Sequence, residues 1–118
     1  MELEGIVRNL SEEIAEVILV GITGRDGLPV AIYAKENFEV ALVSAEITSI
    51  CDGIETSIRN LNLGNVSEFY TLTDKYGIFG VPIKYDCYLF AVLRQPLNLG
   101  KIRILFKKYV PKIEEMMK

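Results

Sequence analysis

The stretch Glu36–Leu61 constrains this chain more than any other, because it is proline-free and long enough for about seven helical turns. Asn37 stands where a capping side chain would start such a helix. Spaced at ~100° per residue, the apolar positions fall on two faces. One face holds Val43, Ile47, Ile50, Ile54, Ile58 and Leu61, runs the whole length and is expected to lie on a sheet. The second, nearly opposite and confined to the first half, holds Phe38, Ala41, Leu42 and Ala45, continued by Thr48 and Ser49. A surface helix needs one apolar stripe, so something else must cover the second, either loops of the same chain or a partner. Few residues remain for loops to do it, and the small side chains would let another backbone approach. The expectation is a partner chain.

At 118 residues the chain has room for one domain, 1–118, with a single core. Half of its residues are apolar, which excludes a disordered class. A net charge of −3 gives no pull toward nucleic acid, and none is expected as a partner. The basic cluster Lys101, Arg103, Lys107, Lys108 and Lys112 reads as the solvated side of a helix. Cys51 and Cys87 share no ligand spacing and read as buried, reduced thiols. The opening residues MELEGIVRNL carry acids where a secretion signal carries positive charge, and no apolar run reaches the ~20 residues of a membrane span. A cytoplasmic protein without membrane insertion is expected.

In chain order, Leu3, Ile6, Val7, Leu10 and Ile14 mark a short amphipathic helix. Val17–Ile22 reads as a strand, Arg25-Asp26-Gly27 as a tight reversal, and Leu28–Ala34 as the returning strand. Pro29 suits that strand to a sheet edge. The long helix follows and is expected to close at Gly64, in the left-handed conformation that ends helices. Val66–Thr73, Ile78–Ile83 and Cys87–Arg94 form a meander, with a bulge or strand end expected at Pro82. Asn98 caps a last helix that Pro111 should kink or split. The fold class is α+β in the order α-β-β-α-β-β-β-α, a five-stranded antiparallel sheet with helices on both faces. The Val66–Thr73 edge has no proline and one early charge, Glu68. Such an edge invites pairing with another strand. If the long helix lies beside it, helix and edge make one continuous apolar surface that a two-fold dimer would satisfy. The interface is therefore assigned to Phe38, Ala41, Leu42, Ala45, Thr48 and Ser49 of the helix with Phe69, Tyr70, Thr71 and Leu72 of the strand.

Catalytic signals are absent. The sequence has no histidine, the commonest general base and transition-metal ligand, and no phosphate-loop or nucleophile-elbow motif. No catalytic residue, metal site or cofactor is assigned, and a non-enzymatic role is expected.

Three stretches together resemble the Roadblock / dynein light-chain family: Val20-Gly21-Ile22-Thr23-Gly24-Arg25-Asp26-Gly27-Leu28-Pro29-Val30-Ala31; the long helix with its Ala- and Ser-rich first half; and Leu89-Phe90-Ala91-Val92 through Asn98-Leu99-Gly100-Lys101-Ile102-Arg103. The resemblance implies a profilin-like layout and a homodimer in which the third strands pair into a ten-stranded sheet and the second helices pack side by side. Here those elements are residues 66–73 and 36–61. It further implies a partner in a small Ras-like GTPase, whose nucleotide cycle the dimer activates or scaffolds in signalling. Arg25, at the hairpin tip, reads as an exposed turn residue rather than an arginine finger. The alternative is a sensor domain holding a small ligand in a pocket between sheet and helix, which needs polar groups placed inside.

Overall fold

The computed structural model describes residues 2–118. Its elements are α1 (Leu3–Glu12), β1 (Val17–Gly24), β2 (Pro29–Ala34), α2 (Val40–Asn60), β3 (Phe69–Leu72), β4 (Tyr76–Ile83), β5 (Cys87–Arg94) and α3 (Leu99–Met117). The order is the expected α-β-β-α-β-β-β-α, and the strands form one antiparallel sheet in the spatial order β2-β1-β5-β4-β3. β1 and β5 are central, and both are buried along nearly their whole length, which their Val, Ile, Leu and Phe content requires.

The two faces carry separate cores. On one, α1 and α3 close over Val20, Ile22, Phe79, Leu89 and Leu93, with Phe79 edge-on to Phe106 of α3 at 4.9 Å. On the other, α2 sets Ile47 and Cys51 against Leu19, Phe69, Tyr88 and Phe90.

Several boundaries differ from the sequence expectation, each for a local reason. α2 begins at Val40, not Glu36; Glu39 precedes it without a side-chain cap, and Asn37 lies outside the helix and does not cap it. At its other end Asn62, at φ 55°, closes the helix, and Gly64, at φ 95°, also has the positive φ expected of it. The Asn62 N–H donates to the Arg59 carbonyl and the Leu63 N–H to that of Ile58, the double closure of a Schellman motif. β4 runs through Pro82 with neither a bulge nor an end, because β3 stops opposite Gly80 and leaves Pro82 no neighbour on that side. Pro111 sits inside a continuous α3 and does not split it. Asn98 does cap α3, its Oδ1 accepting from the Lys101 N–H at 3.1 Å. In the hairpin turn Gly27 has φ 85°, and Asp26 Oδ1 accepts from the Leu28 N–H at 3.0 Å.

Candidate functional site

Where α2 rests on the sheet decides which of its faces is free. The buried residues of the helix are Ser44, Ile47, Thr48 and Cys51, a row that is half polar. Thr48 Oγ1 lies 3.2 Å from the Thr23 hydroxyl and donates to the Gly24 carbonyl at 3.2 Å. Ala45 sits beside the hairpin tip: a methyl added at Gly27 would lie 3.7 Å from the Ala45 Cα. One edge of α2 therefore lies along the β1–β2 hairpin. Ile54, nine residues beyond Ala45, points half a turn away at ~100° per residue. Val43, on that same opposite side, packs against the core of Ile47, Cys51, Phe69, Tyr88 and Phe90.

The six-residue stripe from Val43 to Leu61 is thus not the sheet-facing row. Ile47 alone is buried; Ile50, Ile54 and Leu61 are exposed, on the flank turned away from the hairpin tip. The helix is rolled by roughly 70° from the orientation its hydrophobicity suggests, taking ~100° per residue. The cause is a set of polar pairs between helix and sheet, which a purely apolar stripe could not satisfy.

The largest of these is built around Arg25. Its guanidinium sits 4.6 Å from the Tyr88 ring centre, donates to the Tyr88 hydroxyl at 2.5 Å and pairs with Glu55. Asp52 lies 3.5 Å from the guanidinium and accepts from the Tyr88 hydroxyl at 2.5 Å. The Arg25 N–H also donates to the Asp86 carbonyl at 2.9 Å. The electrostatics follow the contacts. Burial works against charge on Glu55, but hydrogen bonds from Arg25 and Tyr88 outweigh it and hold its carboxyl below the ordinary carboxylate range. Burial, then the two carboxylates, raises the Tyr88 phenol well above its usual value. Burial, with Glu55 and Asp52 adding to it, pushes the Cys51 thiol up to about 12. Arg25 is consequently not the free turn residue of the sequence reading. It is a strut that ties the hairpin tip to α2.

The remaining assigned residues divide into three groups. Thr48 and Phe69 are 5% and 4% exposed, spent on Thr23 and on an edge-to-face contact with Tyr88 at 5.6 Å, so neither is a surface residue. Ala41, Leu42, Ala45 and Ser49 are exposed, as is Phe38 in the turn before the helix, but they lie on the outer and hairpin sides of α2. Tyr70, Thr71 and Leu72 are exposed on β3, which is the free edge of the sheet as expected. The edge is half as long as expected, four residues rather than eight, because residues 66–68 stand off β4. Tyr70 pairs with Phe79, so it projects with Leu72 on the α3 face, while Thr71 shares the α2 face with Ile78.

The apolar surface left exposed is therefore Ile50 and Ile54 of α2 and, on the free edge of the sheet, Tyr70 and Leu72 of β3, while Ile78 and Val92 are half-buried against the core that Ile47 and Cys51 join. Sequence reading missed Arg25, Asp52, Glu55 and Tyr88 as a unit. A signal existed: Asp52 and Glu55 are three apart on one helix, and Ser44, Thr48 and Glu55 line one side of it. Among the described residues no cluster of metal-ligating side chains occurs, and no helix is long and apolar enough to cross a membrane.

No family model and no curated protein matches the sequence. Solved structures do match the fold. A Roadblock/LC7 domain from Streptomyces avermitilis superposes with a TM-score of 0.90 at 10% identity, covering 99% of this chain and 98% of that one. MglB of Myxococcus xanthus gives 0.88 at 9% identity, over 98% and 94% of the two chains. Profilin II of Acanthamoeba castellanii gives 0.68 at 15% identity, over 99% and 100%. At such identities the likeness carries the fold, and the fold of this chain is that of the Roadblock/LC7 domains.

Proposed function

We propose that this chain is a non-enzymatic, cytoplasmic regulator or scaffold that works as a homodimer on a small Ras-like GTPase and modulates its nucleotide cycle. The observations that carry the reading are the exposed isoleucines Ile50 and Ile54 on α2 and the unpaired strand edge at β3. A two-fold axis beside β3 would pair that edge with its twin and bring the two α2 flanks together over the joined sheet. The seam then consists of Ile50 and Ile54 rather than Ala41 and Ala45. About 800 Å² per chain is the usual size of a stable interface. The Roadblock/LC7 fold supports the GTPase partnership through the family resemblance. The test is a measured rate of GTP hydrolysis by a small Ras-like GTPase captured from the same cell, with and without this protein, alongside sedimentation of the protein alone. Dimers that bind the GTPase and change its rate or its nucleotide exchange support the reading; a monomer at micromolar concentration that captures no GTPase ends it.

A second reading, a small-ligand sensor, is favoured by one specific feature. A cleft of about 500 Å³ lies between β4 and α3, on the face away from α2. That is the sheet–helix pocket such a sensor needs, and its volume falls within the ~300–1,000 Å³ of small-molecule sites. It opens where the segment before β3 stands off the sheet.

A further inference from the structure

The chemistry of that cleft is specific enough to name what it would hold. It exists because β3 starts only at Phe69, while β4 continues past Gly80, its last residue paired with β3, to Ile83. The gap is floored by Phe79 and Val81 of β4 and walled by Phe106 and Val110 of α3, with Pro82 and Pro111 among its lining residues. All of these are apolar. The polar groups lie on the α3 side and on the segment before β3. Arg103 reaches Glu68, its Nε at 2.7 and 3.0 Å from the two carboxylate oxygens. Lys107, one turn further along α3, makes no ion pair among the described residues. Two cations face one carboxylate, so the rim carries one unmatched positive charge above an apolar floor. An extended peptide is a poorer occupant, since Pro82 removes a backbone donor from the open β4 edge that such a peptide would have to pair with.

We propose that the β4–α3 cleft binds a small amphipathic anion, with its apolar body against Phe79, Val81, Phe106 and Val110 and its negative head at Lys107, beside the Arg103–Glu68 pair. The ligand is a free amphiphile rather than a bilayer lipid, because the cleft is a pocket between strand and helix and not a flat basic face. This deepens the sensor reading and is independent of the GTPase reading: the test uses the chain alone and needs neither a dimer nor a nucleotide.

The experiment is a titration of isotopically labelled protein with sodium octanoate, 1-octanol and octylammonium, followed by amide and methyl resonances. Saturable octanoate shifts at Val81, Phe106 and Val110, weaker shifts with octanol and none with octylammonium are expected. Lys107→Glu, at an exposed site, should weaken octanoate at least fivefold. Val110→Trp, which fills the cleft, should abolish the shifts while leaving the circular dichroism spectrum unchanged. Should Val110→Trp disturb folding, Lys107→Gln, with an intermediate loss, carries the same information. Octylammonium binding as well as octanoate, shifts confined to another surface, or unchanged affinity in Lys107→Glu would each overturn the proposal. So would sedimentation with phosphatidylglycerol vesicles in the absence of any octanoate shift.

Discussion

Replacing Ile54 with arginine tests where two copies would meet in the proposed dimer. Ile54 is 37% exposed in the single chain. Full burial of such a side chain is worth about 1.5–3 kcal/mol, so covering the exposed third contributes ~0.5–1 kcal/mol per copy. Arginine forfeits that and adds a guanidinium whose desolvation, without a partner, costs several kcal/mol in a dry seam. Part of the charge escapes by extending along the helix, leaving a net of ~3 kcal/mol per copy. A two-fold interface contains the residue twice, so the dimer loses ~6 kcal/mol, and the dissociation constant rises by more than about four decades. Ala45→Arg is the paired control. Ala45 lies beside the hairpin tip, half a turn from Ile54, and an arginine there has open solvent to reach. Sedimentation equilibrium across micromolar concentrations should give a monomer for Ile54→Arg and a dimer for Ala45→Arg, with both spectra native. A dimeric Ile54→Arg would refute the seam drawn from the rolled helix. A monomeric Ala45→Arg would restore the face inferred from hydrophobicity alone.

Acid titration reports on the Arg25 strut. Because the Glu55 pKa is depressed in the folded state, its stabilisation is complete above the unfolded-state value near 4.5 and is lost as pH falls through the folded value. Wild type should therefore lose more denaturation free energy than Glu55→Gln between roughly pH 5 and pH 3, and parallel curves would remove Glu55 from the network. Tyr88→Phe should destabilise by about 1–3 kcal/mol in urea unfolding, since it takes the hydroxyl from both carboxylates and from the guanidinium. Ser44→Ala should be neutral or stabilising by up to ~1 kcal/mol, because the buried Ser44 hydroxyl has no hydrogen-bond partner among the described residues. A loss larger than that would mean Ser44 has a partner in solution. Cys51, buried and with its thiol pushed up to about 12, should resist a thiol reagent until the protein unfolds.

The element order, the Asp-Gly hairpin, the Asn98 cap and the two edge strands were legible because each depends on local chemistry or on period-2 and period-3.6 patterning. Boundaries were less so. Asn62 and Gly64 both permit a positive φ, and what selects Asn62 is the Leu63-to-Ile58 hydrogen bond, a matter of register that composition does not encode. Pro82 is disruptive only if β3 runs from Val66; with the strand starting at Phe69, no residue of β3 opposes it. The site itself was half legible. The free β3 edge is legible, since an unguarded strand shows in sequence, but the roll of α2 is not, because it depends on the polar groups that the sheet presents to the helix.

That last difference has one physical origin. Hydrophobicity ranks the faces of a helix by how much apolar area each would hide, and assigns the sheet to the richest. It gives no weight to the groups the sheet presents in return. Here the sheet end beneath α2 carries the Thr23 hydroxyl, the Gly24 carbonyl, Arg25 and Tyr88, and each requires a polar partner when buried. Thr48, Asp52 and Glu55 supply those partners, and turning them toward the sheet turns Ile50 and Ile54 out of it. The apolar flank left exposed on α2 follows from satisfying the polar contacts first. A chain that buries Glu55 with Arg25 cannot also bury Ile54, and it is this exclusion that would hand the isoleucine flank to a second copy.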